Sequence, residues 1–350
     1  MTRVRGAIRL VAANLAVLAG LVVAVEFGYR LYGSVLRDRP FFREDRFLSP
    51  WFTLYEDPPP RIAADGRAYF PHRDRPTPRD KPVGTVRILA VGGSTTLCKD
   101  AFETAGVDWP QALETRLNRG RTGATYEVLN AGGDAYSTAH SLVNLELRLV
   151  EFDPDVVVLM HNVNDATANF YGDGATPDYG NKYLRPYYLN PQLQATRSFT
   201  GLLYQSAFLT RRGLPQWLAD KSGDLHPDND PSAGLRYFRR NLETLIAVCR
   251  THGIEPVLLS QPSTLEPGPY SPMGLHVAYN RAIAEVAAEH GVTFVDMFAR
   301  FGGDRRHFVD NVHYSPEGVE RFAELLEPGL APVLDRVRSD LARRLESGPD

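Results

Sequence analysis

Three polar clusters hold the side chains of this chain that could do chemistry. The first centres on Ser94, in Val86-Arg-Ile-Leu-Ala-Val-Gly-Gly-Ser-Thr-Thr96. There a short apolar run, Ile88 to Val91, reads as a buried strand that breaks at a Gly-Gly pair and presents a hydroxyl. A serine hydroxyl is a weak nucleophile at neutral pH. It needs a base to take its proton, a group to orient that base, and donors for the oxyanion that forms. Val309-Asp-Asn-Val-His-Tyr-Ser-Pro-Glu317 offers the first two: Asp310 and His313 share one short loop before a helix start at Ser315-Pro316-Glu317. Asp155-Val-Val-Val-Leu-Met-His-Asn-Val-Asn-Asp165 offers the third: a β-branched strand ends in polar residues, among them the amide donor Asn164. Ser94 and Asn164 both follow strands, which puts them at the carboxyl edge of a sheet, where open α/β folds bind ligands.

The elements that must position these residues alternate. Strands are expected at about 86–92, 126–129, 156–160, 256–260 and 292–295. Helices are expected at about 108–119, 138–151, 233–252, 273–290 and 316–327. Trp109, Leu113 and Leu117 share one face of the first of these helices, and Leu142, Leu145 and Leu149 mark the second. Alternating strands and helices imply parallel pairing and right-handed crossovers, hence a flavodoxin-like, doubly wound α/β sheet of five strands. A long insertion, about 166–232, leaves the edge directly after Asn164-Asp165 and carries Tyr171, Tyr179, Tyr183, Tyr187 and Tyr188. Its aromatics suit stacking on sugars or covering an acyl pocket, or else pack structurally on the domain. The loop Gln261–Met273, at the end of strand four, should also border the site.

Taken together, Gly-Gly-Ser94-Thr, Asn164-Asp165 after a central strand, and Asp310-x-x-His313 near the C-terminus resemble the SGNH/GDSL hydrolase family over about residues 85 to 330. The resemblance implies the SGNH hydrolase fold, a Ser94–His313–Asp310 triad, and an oxyanion hole formed by Ser94 N–H, the Asn164 side chain and a backbone N–H of the second motif. The matching second stretch is Val128-Leu-Asn-Ala-Gly-Gly-Asp-Ala-Tyr-Ser-Thr138, where the usual glycine position falls on Ala135 and Gly132 is the fallback. The third motif departs too, with Asn162 in place of the usual glycine. Gly132, Asp165 and His161 are expected near the substrate, Asp165 more as a brace for its loop and His161 in a structural or pocket-lining role. No cofactor and no metal are expected.

Other serine chemistries fit poorly. The Ser94 segment lacks the Walker and Rossmann glycine patterns. An α/β-hydrolase elbow would carry a glycine two residues past the serine, where Thr96 stands.

Bulk properties bound the rest. A hydrophobic fraction of 43% excludes wholesale disorder, and a net charge of −3 gives no electrostatic case for nucleic acid. The two cysteines, Cys98 and Cys249, lack metal-ligand spacing and read as apolar core residues rather than a disulfide. Leu10–Val25 is almost wholly apolar, follows Arg3, Arg5 and Arg9, and precedes Glu26 and Arg30. We read it as an uncleaved membrane anchor, with a cleaved signal peptide and a buried helix as the alternatives. The basic flank leaves the body of the protein periplasmic or otherwise outside the inner membrane, although Arg30, Arg37 and Arg39 lie on the other side.

The expected organisation is an anchor at 1–32, a Pro-rich stalk at 33–84, the hydrolase domain at 85–330 and a C-terminal helix or tail at 331–350. The stalk should pack partly on the domain through Trp51, Phe52, Tyr69 and Phe70. Three functions are carried forward. The first is an esterase acting on acyl or acetyl esters of a carbohydrate or lipid. The others are a cell-envelope polysaccharide O-acyltransferase using the same triad, and a non-catalytic polysaccharide-binding protein.

Overall fold

A computed structural model describes residues 2–36, 60–63, 67–74, 76–119, 124–171, 174–179, 182, 229–264 and 274–347. The chain divides into two compact units, one of residues 1–50 with 183–224, the other of 51–182 with 225–350. In the first unit the described residues form one helix, α1 (Thr2–Leu36). Its stretch Arg9–Tyr32 has a mean hydropathy of 2.3 and is long and apolar enough to cross a membrane, a test that a signal sequence also passes.

The second unit holds the alternating elements. Short strands β1 (Arg61–Ile62) and β2 (Ala68–Tyr69) pair antiparallel. Then follow β3 (Thr85–Gly92), α2 (Ser94–Leu97), α3 (Lys99–Ala105), α4 (Trp109–Asn118), β4 (Thr125–Gly132) and α5 (Thr138–Asn144). After them come β5 (Val156–Met160), α6 (Val163–Ala168), α7 (Ser232–Thr251), β6 (Glu255–Leu259) and α8 (Leu275–His290). The last are β7 (Thr293–Val295), α9 (Met297–Phe301) and α10 (Pro316–Ser347).

β3 to β7 form a parallel sheet in the order β4-β3-β5-β6-β7. Counted from the first strand of the domain, this is the expected flavodoxin-like order 2-1-3-4-5. The strands read as continuous apolar runs because both faces are covered. Val86, Ile88 and Ala90 face one core with Trp109, Leu113, Phe322 and Leu326. Leu89 and Val91 face the other with Phe238, Leu242, Ile246 and Ile283. Gly92 is in register with both Gly132 and Met160, so three consecutive motifs leave the sheet at one level.

Two elements differ from the periodicity. The helix expected at 138–151 is α-helical only to Asn144, then widens to a π turn over Leu145–Leu149 and closes as a 3-10 turn at Val150–Phe152. The last helix does not stop near 327 but runs through Pro328 and Pro332. An interior proline costs about 3 kcal/mol, yet Leu330, Val333 and Leu334 are buried on the core side, and that burial outweighs it. Of the stalk aromatics, Phe70 is buried against Phe152, ring centroids 5.0 Å apart, while Trp51 and Phe52 lie outside the described residues. Cys98 and Cys249 are free, buried thiols in the cores on opposite faces of the sheet, too far apart in the layers to bridge.

Candidate active site

Where β3 ends, Gly93 leads into α2, and Ser94 is the first residue of that helix. Its Oγ lies 2.7 Å from Nε2 of His313, which is 219 residues away in sequence. On the other side of the ring, Nδ1 lies 2.7 Å from Asp310 Oδ2. An ionised carboxylate only accepts, so the ring proton belongs on Nδ1, and Nε2 is left to accept from the serine hydroxyl.

The Asp310–His313 loop is built by local bonds. Asp310 Oδ1 accepts from the backbone N–H groups of Val312 at 2.8 Å and His313 at 2.7 Å. Val309 N–H donates to the His313 carbonyl at 2.9 Å, which closes the turn. Ser315 Oγ then accepts from Gly318 N–H at 3.1 Å, starting α10 as the sequence predicts. Burial alone would raise the Asp310 carboxyl, but hydrogen bonds from the His313 ring and the two N–H groups outweigh it. The carboxyl is held below its ordinary value, in the charged form.

Opposite the serine, Asn164 is the second residue of α6 and its Nδ2 donates to the Tyr136 carbonyl at 3.0 Å. An amide nitrogen has two hydrogens, and this bond uses one of them. A methyl placed on Gly93 would come within 2.8 Å of Asn164 Nδ2 and 3.0 Å of the Tyr136 oxygen. The amide therefore lies directly against the backbone that leads into Ser94, and position 93 has no room for a side chain.

Ala135 has φ +54°, in the left-handed region. That is glycine's conformation, held here by an alanine at a cost on the order of 1 kcal/mol. The fallback, Gly132, does something else. Its N–H is donated to Asn130 Oδ1 at 2.9 Å, and a Cβ there would sit 2.4 Å from Leu97 N. It is a close-approach glycine beneath α2, which removes it as the alternative donor. The departure in the third motif is also accommodated: Asn162 Nδ2 donates to the His276 carbonyl and to Asn280 Oδ1, both at 2.8 Å.

Asp165 and His161 do not line an open surface. Asp165 is fully buried and accepts from Thr138 N–H through both oxygens at 3.1 Å and from Thr138 Oγ1 at 2.5 Å. Burial raises its carboxyl to about 6 against those bonds. It is thus the brace, tying α6 to the start of α5. The His161 ring bonds Ser141 Oγ at 2.8 Å, and burial pushes it down to about 3, so it stays neutral. Both side chains are buried, so neither offers surface to a substrate.

Sequence reasoning missed Lys182. Its Nζ donates to Thr167 Oγ1 at 2.6 Å and to the Asn164 carbonyl at 2.7 Å, with Asn164 Oδ1 at 3.5 Å. Burial pushes this ammonium down to about 7, opposed by the Asp165 carboxylate. A lysine in a tyrosine- and glycine-rich insertion has no pattern around it that would have singled it out. Of the insertion's tyrosines, Tyr179 is buried, and Tyr183, Tyr187 and Tyr188 lie outside the described residues. The described start of the loop after β6 does reach the site, with Thr264 N–H donating to the Asn311 carbonyl at 3.0 Å.

No curated protein matches the chain. Among solved structures it is similar to a lipase/acylhydrolase from Enterococcus faecalis, at 17% identity over 70% of this chain and 95% of that one, TM-score 0.42. It is similar to an acetylxylan esterase from Geobacillus stearothermophilus, at 17% identity over 70% and 94%, TM-score 0.43. A GDSL-like lipase from Bacteroides thetaiotaomicron aligns at 14% identity over 71% and 88%, TM-score 0.41. The family profile for GDSL-like lipases and acylhydrolases matches residues 89–321, a span that runs from β3 through the Asp310–His313 loop into α10. With two-thirds of its length inside that profile, this chain belongs to the GDSL-like lipase/acylhydrolase family and is an ester-hydrolysing enzyme.

Proposed function

We propose that the protein is a serine esterase that removes acyl or acetyl groups from a carbohydrate or lipid through an acyl-enzyme, with Ser94 as nucleophile, His313 as base and Asp310 as its orienter. The observation that carries this reading is the pair of 2.7 Å contacts, Ser94 Oγ to His313 Nε2 and His313 Nδ1 to Asp310 Oδ2. His313 takes the hydroxyl proton as Ser94 Oγ bonds to the ester carbon, and the carbonyl electron pair moves onto oxygen. Ser94 N–H, Asn164 Nδ2 and the backbone at Ala135 hold that oxyanion. Collapse breaks the ester C–O bond, and the proton on His313 passes to the leaving alkoxide. Water then attacks the acyl-serine, gives its proton to His313, and frees the acid and Ser94.

The apolar helix fits a single-pass anchor, its basic flank inside and the second unit outside the membrane. Protease access to a C-terminal tag on intact spheroplasts tests this; a protected tag overturns it.

The activity test is p-nitrophenyl acetate cleavage by the full chain in detergent, beside Ser94→Ala, with and without an oligosaccharide acceptor. A Ser94-dependent burst with acetate as product is expected. Acyl transfer to the sugar in preference to water would make the enzyme a transferase. Undiminished turnover in Ser94→Ala would overturn the nucleophile.

A further inference from the structure

We infer that Lys182 is a positioning residue that holds the Asn164 amide with its nitrogen turned toward Ser94, a role that rests on the reading of Asn164 as an oxyanion donor. A side-chain amide has two nearly isosteric orientations, and only its hydrogen-bond partners separate them. Two partners grip this one from opposite ends. The Tyr136 carbonyl takes a proton from Nδ2 at 3.0 Å. The Lys182 ammonium, which only donates, stands 3.5 Å from Oδ1 and is fixed there by the Asn164 carbonyl at 2.7 Å and Thr167 Oγ1 at 2.6 Å. Turning the amide over would set donor against donor at Lys182 and acceptor against acceptor at Tyr136. The two grips are not equal. Tyr136 follows Ala135, a residue in the left-handed region. Lys182 is anchored to the backbone and hydroxyl of the same helix turn as the amide it faces, and in its ammonium form it adds a charge to that contact.

Steady-state kinetics of the full chain on p-nitrophenyl acetate test the inference through a double-mutant cycle of Lys182→Met and Asn164→Ala. Lys182→Met should lower kcat about tenfold with KM changed less than about twofold, since a group acting only on the oxyanion acts on the transition state. Asn164→Ala should lose on the order of 10²–10³. The double variant should be no slower than Asn164→Ala, because the lysine acts through the amide. A wild-type kcat in Lys182→Met overturns the inference, and so does an undiminished Lys182→Met loss in the Asn164→Ala background. A wild-type kcat in Asn164→Ala is a different result, which sinks the oxyanion reading itself. Where melting shows that Lys182→Met does not fold, Lys182→Gln, which keeps a donor and loses the charge, is read in the same way.

Discussion

The two sides of the proposed site, the proposed base and the proposed oxyanion donors, are built by opposite means. The base side is local: Asp310, Val312 and His313 lie within four residues, and their bonds to one another shape the loop before the serine is reached. The oxyanion side is assembled from afar. Gly93, Ala135-Tyr136 and Asn164 arrive from three strand ends, and Asp165, Thr138 and Lys182 clamp them together. A local loop brings its own geometry wherever the fold carries it. The oxyanion side has correct geometry only when several packed elements agree, so it should respond to small changes that leave the base side untouched.

The largest expected effects fall on the proposed nucleophile and on the base side. Ser94→Ala should lower kcat by on the order of 10⁴–10⁶ with its melting temperature near wild type, read by single-turnover acylation. Asp310→Asn should cost on the order of 10⁴ in kcat, since an amide no longer fixes the ring tautomer. It also has a pH signature. The folded carboxyl is held below its ordinary value, so its stabilisation is complete above the unfolded value of about 4 and fades as pH falls through the folded one. Asp310→Asn should therefore melt below wild type at neutral pH, and the gap should close in acid. A gap that widens in acid would reverse the sign of this linkage.

On the oxyanion side, Gly93→Ala should separate activity from stability. The added methyl meets the movable Asn164 amide at 2.8 Å and the fixed Tyr136 carbonyl at 3.0 Å, so some stability is lost, but the larger effect expected is displacement of the amide, with kcat falling toward the 10²-fold loss of a missing donor. If kcat stays at the wild-type level, the amide is not where the reaction needs it. The smallest effect is Ala135→Gly. Relieving a non-glycine residue at φ +54° should stabilise the protein by up to about 1 kcal/mol, measured by denaturant midpoint, with little change in kcat.

This contrast also explains what could be read in advance. The strands were legible because period-two burial on two faces leaves uninterrupted apolar runs, as at Val156–Met160. Ser94 and the Asp310–His313 pair were legible because the residue types and spacing of each are local. Ala135 was placed by counting within its motif, but its left-handed backbone was not visible in its side chain. Gly132 looked like a donor in sequence and is a packing glycine in the fold, because only the approach of α2 shows what its missing side chain makes room for.

By itself, then, the sequence determined the alternating α/β order, the apolar N-terminal helix and the three motifs at strand ends, since these depend on neighbours a few residues apart. The parallel register decided that Gly92, Gly132 and Met160 end at one level and so bring the motifs to one edge. Packing decided that Asp165 and His161 turn inward and that Lys182 meets Asn164. Those contacts join residues across loops and layers, and hydrogen bonds of that kind leave no periodicity along a chain to be read.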